Sequence, residues 1–261
     1  MVGRRLPHPE EKPTYFTPSV DIAARVLLTL AGPESANASL AELARDLGAN
    51  KTTCLRVVRT LQQHALLHYD ESTQTYSLGT AAVTLAATGS TAIAAVSRIQ
   101  PVLDDLTAKT GMTSVLACPT WPGEMTYLAV RDGTSRLRIS VSVGQSYRVT
   151  ESSGGLWYLA YLPSELRHEI ISRIPAEKRR ASLRDPEALD RKVEQMKGTG
   201  VLTSVNDFVA GVTTVTSPVF DRRGKFFGVV AIIGLSASDL SQSLESTAAM
   251  VKAGAQRASE A

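Results

Sequence analysis

Apolar residues recur at intervals of three and four in the N-terminal part of the chain, which is the spacing of one helix face. This pattern predicts a helix over 20–30, a second that begins at Ser39 and a third over 51–65. Ser39 and Glu42 form a capping-box sequence, in which each residue caps a backbone N–H of the other. Gly48 is a typical helix-ending residue, so the second and third helices are predicted to be joined by a short turn.

The period changes from helical to alternating after the third helix. Residues 66–70 and 75–79 are predicted strands, separated by a polar turn at 70–74. Two helices joined by a tight turn that contains a glycine are typical of a helix-turn-helix. The hairpin that follows is then the wing of a winged helix.

The predicted third helix carries basic residues and no acids. No Asp or Glu lies between Leu47 and Tyr69, although 20% of the chain is charged, whereas Lys51, Arg56 and Arg59 lie on the polar side of the helix. A surface without carboxylates suits phosphate oxygens, and the second helix of a helix-turn-helix lies in the major groove. The pattern favours double-stranded DNA as a partner, and the alternative is a basic helix that faces only solvent. The residues predicted to contact DNA are Ser39, Lys51, Thr52, Thr53, Arg56, Arg59 and Tyr76.

The remainder of the chain predicts a connector and a second domain. Residues 80–97 are rich in alanine and low in charge, which favours a linker helix that packs against another chain. The later pattern mixes strands and helices, as in an α+β sensor-like domain. Its predicted strands are 113–117, 125–130, 137–143, 212–220 and 226–233, and its predicted helices are 100–110, 155–162, 164–173, 186–197 and a last one from Asp239 to Arg257. The predicted organisation is a flexible arm at 1–17, a winged helix at 18–79, a linker helix at 80–97 and a sensor-like α+β domain at 98–261.

The composition of the chain argues against an enzyme. The 261 residues include four histidines, and His168 is the only one in the C-terminal part, on a predicted exposed helix face. No phosphate-binding glycine loop or zinc spacing is present, so no cofactor, metal or catalytic residue is expected. Two cysteines fit a reducing cytoplasm, and neither a signal sequence nor a membrane-spanning run is evident. A cytoplasmic protein without a membrane partner is expected.

The order of the segments resembles the IclR family of bacterial transcription regulators from about Val20 to Ala255. Residues 39–48 with Lys51-Thr52-Thr53 resemble its helix-turn-helix, and residues 76–79 resemble the end of its wing. The second domain resembles the family at Gly200, Phe208, Gly211-Val212 and Ser217-Pro218-Val219-Phe220-Asp221. The resemblance implies a winged helix, a linker helix and a GAF-like effector-binding domain in a homodimer or homotetramer that responds to a small organic ligand.

The resemblance also implies an effector site, and this chain departs from the family pattern there. Leu156 stands where the family commonly has a lysine, and Ala231-Ile232-Ile233 stands where it has Ser-x-Ser. An apolar site with few polar anchors favours an apolar or aromatic effector over a small dianion. The alternative is that Trp157 and Ile233 fill the site and no effector binds strongly. The residues implied to bind effector are Ser152, Ser153, Gly154, Gly155, Trp157, Ser204, Thr214, Thr216, Ala231 and Ile233.

The sequence therefore predicts a sequence-specific transcriptional regulator under the control of an effector. A repressor is favoured over an activator, and a catabolic operon is the expected target. Two other functions stay open at this stage: an enzyme in the C-terminal domain, and an adaptor whose winged helix binds protein.

Overall fold

The computed structural model describes residues 16–32, 36–87, 91–121, 123–174, 183, 185–236 and 244–260. Most of the predicted arm and the predicted cap at Asp239 lie outside these residues. The chain divides into two compact units, residues 1–93 and 94–261. No described helix combines the length and the apolar character needed to cross a bilayer.

The first unit consists of helices and a small antiparallel sheet. Its elements are α1 (Pro18–Ala31), β1 (Ala38–Ser39), α2 (Leu40–Asp46), α3 (Lys51–Gln63), β2 (Leu67–Asp70), β3 (Thr75–Leu78) and α4 (Thr80–Ala87). The strand order is β1-β3-β2. The apolar stripes of the helices meet in one core around Val26, Leu43, Cys54 and Val58. This is the predicted winged helix, with β2 and β3 as its wing.

The second unit is built on a six-stranded antiparallel sheet. Its elements are α5 (Thr91–Thr110), β4 (Thr113–Trp121), β5 (Glu124–Arg131), β6 (Ser146–Arg148), α6 (Ser153–Ala160), α7 (Ser164–Ser172), α8 (Pro186–Thr199), β7 (Leu202–Val205), β8 (Val212–Phe220), β9 (Phe226–Leu235) and α9 (Leu244–Glu260). The strand order is β6-β5-β4-β9-β8-β7. The α+β class predicted for this part of the chain is confirmed.

Different helices cover the two faces of this sheet. On one face, Leu103 of α5 and Val251 of α9 pack on Leu116 and Val230 in the main core. On the other face, α6 packs on β8 and β9. The α6 face also contains a smaller apolar cluster around Val115, Ala231 and Ile233. The residues implied to bind effector lie on this α6 face.

The strand predicted over 137–143 is wrong. The segment has no strand pairing, and the free edge of β5 pairs instead with β6, with Met125 opposite Tyr147. Ile139 and Val141 lie on the smaller apolar cluster, and the Thr113 hydroxyl donates to the Ile139 carbonyl at 2.5 Å. The two central apolar residues of the segment therefore contact the face of the sheet and do not belong to a strand ladder, whereas Leu137 and Val143 at its ends are exposed.

Candidate DNA interface and effector site

Local capping fixes where α3 begins. The Asn50 side-chain oxygen accepts the Thr52 backbone N–H at 2.8 Å, which caps the helix. Gly48 adopts φ +60° between α2 and α3, a conformation that costs glycine little. The first turn of α3 thus begins directly after a tight turn, with Lys51 and Thr52 exposed.

The α3 helix separates its apolar and basic residues cleanly. Cys54, Val57, Val58 and Leu61 are buried in the core of the unit. Lys51, Thr52, Arg56 and Arg59 are exposed on the other side, and Thr53 is partly exposed between the two sides. The three cations predicted to bind DNA therefore face solvent together.

Tyr76 needs a correction, because its side chain is not available to DNA. The residue is 3% exposed and belongs to the core of the first unit. Burial raises the pKa of its phenol, and the ring packs against Tyr69 with centroids 4.8 Å apart. A strand position that resembles a family wing does not reveal burial, which is why the sequence misplaced it.

Ser39 has a structural role in capping α2. Its hydroxyl accepts the Glu42 backbone N–H at 3.3 Å, and the Glu42 carboxylate accepts the Ser39 backbone N–H at 2.8 Å. The backbone N–H and the hydroxyl of Ser39 both donate to the Glu42 carboxylate at 2.8 Å, and these two bonds hold the pKa of Glu42 below its ordinary value. The predicted capping box is confirmed, and the Ser39 hydroxyl is already used by its own helix.

The carboxylate of Asp70 accepts hydrogen bonds from its own turn at the wing tip. Asp70 accepts the backbone N–H and the hydroxyl of Ser72, at 2.8 and 2.6 Å. These bonds lower the pKa of Asp70. Its negative charge is held within the turn, at the edge of the basic surface.

The residues implied to bind effector meet on the α6 face of the second sheet. Across the strands, Thr214 is opposite both Ser204 and Ile233, and Thr216 is opposite Ala231. The first turn of α6 lies over them, since the hydroxyls of Ser153 and Thr214 are 2.7 Å apart. The remaining members, Ser152, Gly154, Gly155 and Trp157, belong to the same end of α6.

Trp157 belongs to the buried part of this site. Its side chain is fully buried, and its indole N–H donates to the Thr216 hydroxyl at 3.0 Å. Leu156, at the position where a lysine is common, is also buried, with 1% exposure. Both observations agree with the apolar character inferred from the sequence.

Two tyrosines beside α6 were missed by the sequence analysis. The rings of Tyr127 and Tyr147 lie 5.0 Å apart, and a Cβ on Gly154 would lie 3.0 Å from the Tyr147 hydroxyl. Burial raises the pKa of Tyr127 to about 12 and raises that of Tyr147 as well, so both phenols are neutral donors at physiological pH. Tyr147 lies in a three-residue strand, which gives no detectable periodicity.

A charged pair lies at the β7 end of the site. Asp207 accepts the Ser204 hydroxyl at 3.1 Å and lies 3.8 Å from the Lys192 ammonium group. Ser204 was expected at this site from the sequence, whereas Lys192 was not, because the lysine comes from α8 and only the fold brings it near.

Family comparisons match both units. The helix-turn-helix domain of the IclR family matches residues 19–71, and the C-terminal domain of bacterial IclR transcriptional regulators matches residues 85–260. The matched families are transcription regulators and not enzymes.

Individual relatives match over most of the chain. The glycerol operon regulatory protein of Streptomyces coelicolor is 26% identical over 220 residues, covering 83% of this chain and 84% of that protein. The structure of an IclR regulator from Alicyclobacillus acidocaldarius has a TM-score of 0.80 and 29% identity, covering 94% of this chain and 99% of the other. An IclR homologue from Microbacterium hydrocarbonoxydans, complexed with 4-hydroxybenzoate, shares the fold, with a TM-score of 0.78, 20% identity and coverage of 93% and 98%.

Proposed function

The chain belongs to the IclR family of bacterial transcriptional regulators, and from that premise we propose that it is a repressor of a catabolic operon whose operator binding is controlled by a small apolar or aromatic effector. The observation that carries the DNA-binding part is the exposed, acid-free basic face of α3. Binding of operator DNA by a bacterial regulator takes place in the cytoplasm.

The proposed DNA interface assigns different contacts to different positions of α3. Lys51 and Thr52 lie in the first turn, which is the part of a recognition helix that meets base edges in the major groove. Arg56 can donate two hydrogen bonds to a guanine or to a phosphate. Thr53 is only partly exposed, so a phosphate at the edge of the groove suits it best.

A salt titration tests the interface. Fluorescence anisotropy with a duplex from the chain's own upstream region measures affinity from 50 to 200 mM KCl. Each lost phosphate contact lowers the slope of log affinity against log salt by about 0.9, so Lys51→Ala, Arg56→Ala and Arg59→Ala combined should lower it by about 0.9 for each of the three that contacts a phosphate, up to about 2.7 per bound winged helix. The charge-matched control removes Arg222, Arg223 and Lys225 from the exposed β8–β9 turn. Equal affinity for the α3 triple variant and the wild type would reject the interface and favour a protein-binding adaptor.

We propose that the regulator is a homodimer or homotetramer that reads a pseudo-palindromic operator. Support comes from α4, where Val83 and Leu85 are 69% and 66% exposed on a helix without charged residues. Two copies of the winged helix would place their recognition helices in half-sites about 10 base pairs apart, or a multiple of that spacing. Analytical ultracentrifugation of the wild type and of Val83→Glu with Leu85→Glu tests this assembly, which the acidic variant should dissociate.

The effector class follows from the groups on the α6 face. Apart from the Lys192–Asp207 pair at the β7 end, they are apolar side chains and hydroxyls, with buried Leu156 where a cationic anchor would otherwise stand. The 4-hydroxybenzoate complex of a relative is consistent with an aromatic ligand. The effector can change operator affinity only as far as its own affinity differs between the DNA-binding and the non-binding state of the regulator. Such a difference is typically worth about 1–3 kcal/mol.

A thermal-shift screen tests the effector class. Phenol, benzoate and 4-hydroxybenzoate are compared with succinate and glycerol, and an aromatic compound should give the largest rise in melting temperature. Gly154→Leu, which adds bulk beside Tyr147, should abolish that rise. Stronger stabilisation by succinate than by any aromatic compound would reject the proposed class. A turnover assay on each stabilising compound tests the enzyme alternative, and we expect no product.

A further inference from the structure

Arg59 and Tyr69 contact each other between α3 and the wing. We propose that Tyr69, supported from below by Tyr76, is a positioning residue that holds the Arg59 guanidinium on the wing side of α3, where it binds a backbone phosphate and not a base edge. This inference rests on the proposed DNA interface and adds to it the division between a residue that reads sequence and one that anchors the helix.

The three side chains form a series of contacts that begins in the core. Tyr76 is 3% exposed, and its ring is therefore fixed by the packing of the unit. Tyr69 is its direct cross-strand neighbour, with ring centroids 4.8 Å apart. The Arg59 guanidinium carbon lies 5.9 Å from the Tyr69 ring centroid, within the range of a cation–π contact. A fixed ring thus supports a second ring, which faces the cation.

A second contact draws Arg59 in the same direction. Its guanidinium donates to the Gln62 side-chain oxygen at 3.4 Å, toward the C-terminal end of α3. Arg59 is eight residues beyond Lys51, which is about 12 Å along a helix axis. Base edges are met by the first residues of a recognition helix. A guanidinium held at the other end, beside the wing, is placed for the phosphate backbone that flanks the groove.

The contacts of Arg59 leave its charge available. The Tyr69 ring and the Gln62 amide are both uncharged, so neither neutralises the guanidinium. The wing tip carries two acids, exposed Glu71 and Asp70, and Asp70 accepts hydrogen bonds from its own turn at Ser72. The Arg59 side chain is therefore oriented before DNA binds, while its full charge remains for an anion.

A double-mutant cycle tests the coupling. The probe is a fluorescein-labelled duplex selected from a random library with the wild-type chain, and affinity is measured by anisotropy at 50 to 200 mM KCl. Arg59→Ala should lower the salt slope by about 0.9 per bound winged helix. Tyr69→Leu should weaken binding about twofold to fivefold, the equivalent of a cation–π contact, whereas Tyr69→Phe keeps the ring and should leave binding unchanged. In the Arg59→Ala background, Tyr69→Leu should have no further effect.

A base-preference profile separates anchoring from reading. Measured on a set of duplexes with single base changes, Arg59→Ala should weaken binding to every duplex by the same factor. The control Arg191→Ala replaces an exposed side chain of α8 in the second unit and should leave binding unchanged.

Additive effects of Arg59→Ala and Tyr69→Leu, or a changed base preference in Arg59→Ala, would overturn the inference. An unchanged slope in Arg59→Ala would do the same, even if Lys51→Ala and Arg56→Ala weaken binding. If Lys51→Ala, Arg56→Ala and Arg59→Ala all leave DNA affinity unchanged, the proposed interface itself is wrong. Arg59 is exposed, so its replacement does not threaten folding, and circular dichroism checks the Tyr69 variants.

Discussion

The indole N–H of Trp157 is buried and therefore needs a hydrogen-bond acceptor within the protein. The indole N–H is fully enclosed and has the Thr216 hydroxyl as its acceptor at 3.0 Å. A buried donor that loses its acceptor costs about 1–3 kcal/mol. Thr216→Val should therefore lower the free energy of unfolding of the second unit by that amount, while Thr216→Ser, which keeps the oxygen, should cost less. Urea unfolding followed by tryptophan fluorescence measures both, and equal stability of the two variants would contradict the role of this hydrogen bond.

The two adjacent glycines of α6 differ in the space around them. A Cβ on Gly155 would lie 1.9 Å from the Val149 carbonyl oxygen, which is backbone, whereas a Cβ on Gly154 would meet only side-chain atoms at about 3 Å. Backbone cannot move aside as a side chain can. Gly155→Ala should therefore destabilise the second unit by more than the roughly 1–3 kcal/mol of ordinary overpacking, and Gly154→Ala by less. Thermal unfolding compares them, and the reverse order would contradict the close approach of Gly155 to the Val149 backbone.

The α2 helix should make the first unit sensitive to acid through Glu42. Hydrogen bonds from Ser39 depress the pKa of Glu42 in the folded state, so its contribution is fully present above the unfolded pKa of about 4.3 and is lost as the pH falls further. Glu42→Gln can still cap the helix but cannot titrate. Melting curves from pH 3 to 7, read by circular dichroism, should show the wild type losing more stability than Glu42→Gln below about pH 4.3. Parallel curves would contradict the assignment.

Elements with local signals were predictable, and elements defined by distant pairing were not. The capping box at Ser39 and the turn at Gly48 involve neighbouring residues, so α2 was predicted close to its observed bounds. Strands β6 and β7 have three and four residues and gain their identity from partners elsewhere in the chain. The alternation over 137–143 gave a false strand because Ile139 and Val141 pack on the face of the sheet without pairing to it, while Leu137 and Val143 are exposed.

The same distinction applies to the two sites. Exposed basic residues on α3 could be predicted, since a helix with one apolar stripe has only one core-facing side. Burial of Tyr76 could not, because it depends on Tyr69 across the hairpin and on the helices above. Trp157 and Thr216 are 59 residues apart, and sequence alone gave their common membership in a site only through the family resemblance.

At the scale of the whole molecule, each unit has its own core, and this predicts two separable unfolding transitions. Leu43 is fully buried in the first unit and Leu116 in the main core of the second. Both tryptophans, Trp121 and Trp157, belong to the second unit, so tryptophan fluorescence reports on that unit alone, while far-UV circular dichroism reports on both.

The two leucines therefore provide a reciprocal test. Replacing a buried leucine by alanine costs about 2–5 kcal/mol. Leu43→Ala should lower the midpoint of the first unit's unfolding, which circular dichroism detects and tryptophan fluorescence does not. Leu116→Ala should lower the midpoint of the second unit's unfolding, which both signals detect. If Leu43→Ala shifts tryptophan fluorescence by the same amount, the two units unfold as one. Separate transitions would mean that the core of one unit can be altered without unfolding the other.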